Sequence, residues 1–202
     1  DEDARDLGVQ VINTAQASGG FREILKLHVP SALEVVRRDE GSKAAEASSN
    51  AFTIAEAMVA SDGRRQWIEQ QGGVRHVAAC LDFAVWFCQQ LVNSCADQQM
   101  PVTGTLTLNA SQPRALYAHW SASNVLTLAL DQGCFWQEPF GAESLKVLIH
   151  EAAHAMNMHH GYEFRTEVER LAGVAASLML LQGHQIHRTF PQLVERLQPL
   201  AA

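Results

Sequence analysis

The chain has 202 residues, 47% of them apolar, and a formal charge of −7 from 15 basic and 22 acidic side chains. That suits one compact domain, with or without a helical extension, and argues against global disorder. The acidic balance disfavours a phosphate backbone as partner, and Arg37-Arg38 and Arg64-Arg65 are too short to reverse it. No apolar run approaches a bilayer span, so neither nucleic acid nor a membrane is expected. The opening stretch, Asp1 to Asp6, lacks the basic and apolar regions of a signal peptide. A cytoplasmic setting is expected, and the absence of an initiator Met suggests further sequence upstream. Cys80, Cys88, Cys95 and Cys134 form no C-x-x-C pair and are expected to be free thiols.

The first hundred residues read as a helical N-terminal region, either accessory to the rest or part of the same domain. An apolar stretch, Ile24 to Val29, stops at Pro30, and Ser31 with Glu34 offers a capping box for a helix to Arg38. Asp39 to Ser42 is a break. Ala44 to Ala60 is expected to be helical and to end at Ser61-Asp62-Gly63. After Gly72-Gly73, Val77, Leu81, Ala84, Val85, Cys88 and Leu91 keep the helical period from Val74 to Cys95.

The pattern changes after residue 101. Val102 to Leu108, Ala115 to Trp120 and Val125 to Leu130 read as three strands, separated by turn chemistry at Asn109 to Pro113 and Ser121 to Asn124. Short connections favour antiparallel neighbours. Asp131 to Phe140 reads as a loop. Glu143 to His159 returns to the helical period, with Leu145, Leu148, Ile149, Ala152, Ala153 and Met156 on its apolar face. A last long helix is expected from Glu163 to Gln185, burying Phe164, Val168, Leu171, Val174, Leu178 and Leu181. Pro191 to Ala202 reads as a short amphipathic helix.

The chemistry concentrates at His150-Glu151-Ala152-Ala153-His154. Residues four apart share a helix face, so two imidazoles point to one place, with a carboxylate beside the first. This is the logic of H-E-x-x-H: two zinc ligands and a general base. A catalytic zinc needs a third protein ligand and an open position for water. His160 follows His154 by six residues, and Gly161 eases the reversal such a ligand needs. The other candidates are His159 and the downstream carboxylates Glu163, Glu167 and Glu169.

The stretch His150 to Phe164, HEAAHAMNMHHGYEF, resembles the SprT-like, WLM and YgjP-like metallopeptidases, which show H-E-x-x-H, a third His, and a Phe four residues on. His150, Glu151, His154, His160 and Phe164 fall on that pattern, and the likeness spans residues 103 to 182. It implies an α+β zincin-like fold over residues 101–202: a small, mostly antiparallel sheet over the motif helix, with a backing helix. It also implies zinc held by His150, His154 and His160, Glu151 as catalytic base and acid, and an extended protein or peptide substrate on the sheet edge. A DNA-repair role does not carry over, because this chain is acidic. The spacing also matches the metzincins. There Asn157 stands at the glycine position, where it can adopt a left-handed turn, but Met179 falls in a predicted helix and not in a turn.

Other residues admit a bland and a sharp reading. Tyr117 and His119 share a strand face, and one of them can steady an oxyanion, although a half-exposed polar face explains them too. His184 and His187 suit a helix C-terminus better than a second metal site. His28 and His76 read as structural. Cys134 reads as inert, with inhibition of the metal as its sharper alternative. Glu167 and Glu169 can orient ligand histidines, or pair with Arg165 and Arg170. The competing reading of the whole chain is a degenerate zincin serving as a binding or regulatory module.

Overall fold

A computed structural model describes residues 50–95, 101–108, 117–121, 123–157 and 160–194, all within the compact unit Ala47–Ala202. The helices expected before residue 44, the turn at residues 109–113 and the end of the C-terminal helix lie outside these residues. The described elements run α1 (Ile54–Val59), α2 (Arg64–Gln70), α3 (Val74–Asn93), β1 (Thr103–Thr107), β2 (Ala118–Trp120), β3 (Val125–Ala129), α4 (Cys134–Gln137), α5 (Ala142–Ala153), α6 (Tyr162–Thr189) and α7 (Pro191–Val194). The class is α+β. No described helix is long and apolar enough to cross a membrane.

The sheet is mixed, in the order β1-β3-β2, which corrects the mostly antiparallel expectation. β3 is central, parallel to β1 and antiparallel to β2. Its sequence explains its place. Leu126, Thr127, Leu128 and Ala129 are all buried, as befits a strand covered on both faces. The chain therefore leaves β1, passes to the far edge as β2, and returns between them through a tight turn. In that turn Asn124 has φ 56° and its N–H bonds the Ser121 carbonyl at 3.0 Å.

The outer edge of β1 is held by Phe52, whose N–H and carbonyl both bond Leu106 at 2.8 Å. This is why Ala44 to Ala60 is not one helix. Phe52 is committed to the sheet, and Thr53 starts α1 with a capping box to Glu56: Glu56 N–H bonds Thr53 Oγ1 at 3.2 Å, and Thr53 N–H bonds the Glu56 carboxylate at 2.7 Å.

Helix α3 shares a single apolar core with the sheet and with α5. It buries Val77, Phe83, Ala84, Phe87, Cys88 and Leu91. Gly104 lets it approach β1 closely, because a Cβ there would stand 2.6 Å from Val85 Cγ2. Helix α5 packs on the same core through Ser144, Leu148, Glu151 and Ala152, a repeat of four, three and one residues that makes one stripe. Its start is fixed by buried Ser144, whose Oγ bonds the carbonyls of Glu138 and Cys134 at 2.8 and 2.9 Å. The segment before it is not all loop, since Cys134–Gln137 forms α4. Helix α6 buries Phe164, Leu171, Ala175, Leu178 and Ile186, while Leu181, expected inside, is exposed.

Candidate metal centre

α5 ends at Ala153, earlier than the sequence pattern suggested. The N–H groups of Met156 and Asn157 both bond the Ala153 carbonyl, closing the helix in a tight turn. His154 is the capping residue, still in right-handed conformation, so it keeps its place one turn beyond His150. Asn157 is not left-handed: among the described residues, Asn124 is the non-glycine with positive φ. The chain then brings His160 back just before Gly161, the N-cap of α6.

Three imidazoles meet there. His160 Nε2 lies 3.2 Å from His150 Nε2 and 3.1 Å from His154 Nε2, and one ligand atom from each of the three lies within 4.8 Å of the others. Around a tetrahedral zinc with Zn–N bonds of about 2.0–2.1 Å, ligand nitrogens stand about 3.3–3.4 Å apart. The two separations from His160 are therefore close to metal-binding dimensions, and the third lies within 4.8 Å. Phe164 forms its floor: the ring is buried, and its centroid lies 5.0 Å from His150, 4.6 Å from His154 and 4.7 Å from His160. No methionine holds that position.

The donors are electronically suited to a cation. Burial, then the neighbouring His154 and His160, pushes His150 down to about 4. Burial and His160 push His154 down to about 4 as well. Both rings are neutral at pH 7, with a nitrogen lone pair to offer. The tautomer of His154 is set by the Asn157 carbonyl, 3.2 Å from Nδ1. Nδ1 is the protonated nitrogen, so the Nε2 lone pair faces the triad.

Glu151 sits one residue along from His150, on the buried stripe of α5, and is 7% exposed. Burial raises its carboxyl to about 8, while the Trp120 backbone N–H pulls the other way. That N–H is available because of the strand register. Tyr117 and Ser121 bond toward β3, so by alternation Ala118 and Trp120 turn their backbone groups outward. The edge strand and the carboxyl thus meet beside the histidines.

The remaining candidates sort by position. His119 is half-buried, lowered by that burial, and near enough to His154 to depress it. Tyr117 is half-exposed. Glu163 accepts from Asn157 Nδ2 at 3.4 Å, and Glu167 pairs with Arg170 at 2.7 Å. Glu169 and Arg165 are exposed, and His159 lies outside the described residues. Cys134 opens α4, and its carbonyl accepts from Ser144 Oγ. His76 is structural: it is buried and bonds the Trp136 carbonyl at 2.5 Å. His184 and His187 are exposed near the end of α6. Two contributors escaped the sequence reading, the Asn157 carbonyl and the Trp120 N–H. Both are main-chain groups, which residue type does not reveal.

Comparisons with protein-family models, with curated proteins and with solved structures gave no match.

Proposed function

We propose that the chain is a zinc-dependent peptidase of zincin-like architecture, in which His150, His154 and His160 hold the metal and Glu151 handles the proton. The observation that carries this is the convergence of three imidazoles over one aromatic floor, with His160 Nε2 at 3.2 Å from His150 Nε2 and 3.1 Å from His154 Nε2, next to a buried carboxyl. A zinc ion bound there would polarise a peptide carbonyl and bring the pKa of water to about 7.

The chain's own groups supply the rest. Glu151 takes a proton from the attacking water and returns it to the leaving amine. Burial raises that carboxyl to about 8 in the metal-free chain, and a cation at the triad would lower it, leaving the carboxylate that the base role needs. The Trp120 N–H holds one side of that carboxyl in place. The outer edge of β2 faces away from β3, and an extended peptide laid along it would bring its scissile bond across the triad. His119, from the same strand, is the nearest candidate to steady negative charge on the carbonyl oxygen.

Chelator treatment tests the reading. The purified chain should cleave an unfolded protein substrate, lose that activity on exposure to a strong zinc chelator, and regain it when zinc is restored. Cleavage that survives complete removal of metal would exclude the proposal.

A further inference from the structure

Asn157 makes contacts on both sides of the turn that brings the histidines together. Its N–H bonds the Ala153 carbonyl at 3.0 Å, which fixes Asn157 at the end of α5. Its own carbonyl stands 3.2 Å from His154 Nδ1. Its side-chain amide reaches the Glu163 carboxylate at 3.4 Å. Glu163 lies in the first turn of α6, where the helix N-terminus favours a negative charge. In the sequence these two residues bracket His160.

We infer that the Asn157–Glu163 contact is a latch that positions His154 and His160 for one another and so sets the metal affinity of the triad. The inference rests on the metal-site reading above. His150 and His154 are already placed by one helix, and the third nitrogen comes from beyond its end. Joining the two ends of the turn orders that third donor before a cation arrives, so less freedom is lost on binding. The same residue presents the carbonyl that selects the His154 tautomer. A shift of Asn157 therefore disturbs two of the three donors at once.

Every residue has a backbone carbonyl, so Asn157→Ala removes the link to Glu163 and leaves the acceptor for His154 in the chain. Asn157 is half-buried and Glu163 exposed, so neither change empties the core. Zinc affinity is measured by competition with a chromophoric chelator at neutral pH, for the native chain, Asn157→Ala, Glu163→Ala and the double variant. Far-UV circular dichroism confirms that all four are folded. Each single change should weaken zinc binding by about 10-fold or more. The double variant should be no weaker than the weaker single, because the Asn157–Glu163 contact is already lost in each single variant. Cobalt(II) in place of zinc should give an intense tetrahedral visible band in the native chain and a shifted or weakened band in the variants. Tight native binding with unchanged variants, or losses that simply add, would overturn the latch and leave the metal site standing. A folded native chain with no zinc affinity would overturn the metal reading, and the latch with it.

Discussion

His160 reaches to within 3.1 Å of His154, Nε2 to Nε2, although the end of one helix and the turn into the next lie between them. That closeness makes the third donor testable. His160→Ala should weaken zinc binding by more than the roughly 10–100-fold that outer partners contribute. Glu167→Ala should leave zinc content unchanged, because its carboxylate is engaged with Arg170 at 2.7 Å. Metal analysis of the two dialysed variants checks both expectations.

Phe164 contacts all three imidazoles and is buried. Phe164→Ala should destabilise the fold by about 3–5 kcal/mol, through lost apolar burial and a cavity under the site. Chemical denaturation of the metal-free protein reads this directly. Phe164→Leu should lose less, because most of the volume remains.

The histidines and Glu151 impose opposite pH dependences on the metal-free fold. His150 and His154 titrate at about 4 when folded, below their ordinary 6.5. Their contribution is present above 6.5 and is lost as pH falls toward 4, where the unfolded chain binds more protons. Glu151 titrates at about 8 when folded, above its ordinary 4.5. Its contribution is present below 4.5 and is lost as pH rises through 8. The metal-free chain should therefore be most stable at roughly pH 6–7. Glu151→Gln should remove the alkaline decline, worth on the order of 3 kcal/mol, and keep the acid one. Denaturation midpoints from pH 4 to pH 9, with metal excluded, give the comparison.

Gly104 is where α3 and β1 touch. A Cβ there would meet Val85 Cγ2 at 2.6 Å and Leu81 Cδ1 at 2.9 Å. Gly104→Ala should destabilise by roughly 1–3 kcal/mol through overpacking. Its zinc content should stay at the native level while the chain is folded, because α3 supplies none of the three imidazoles. Thermal unfolding together with metal analysis separates the two effects.

The parts legible in the sequence were those that repeat. α3 follows its apolar period from Val74, and His150 and His154 share a face because they are four apart. Strand positions were also readable, since Thr103–Thr107 and Val125–Ala129 lie inside their predicted runs. Pairing was not, because local alternation carries no information about which strand lies in the middle. Only the continuous burial of β3 hinted at it. Phe52 looked helical because its bond to Leu106 is formed with a residue far along the chain, which local pattern does not reveal. α2 was missed because Arg64–Gln70 carries little apolar surface, Ile68 being its buried residue. At the site, residue types gave the three histidines that meet. The Asn157 carbonyl that orients His154, and the Trp120 N–H beside Glu151, belong to the backbone and had no signature.

If one metal and one carboxyl act together at the triad, Glu151→Gln must separate metal binding from cleavage. The most direct measurement is zinc content alongside cleavage of an unfolded protein, for the native chain and for Glu151→Gln. About one zinc per chain is expected in both proteins, with cleavage by the native chain alone. Folded protein without zinc, or a Glu151→Gln variant that cleaves as well as the native chain, would contradict it.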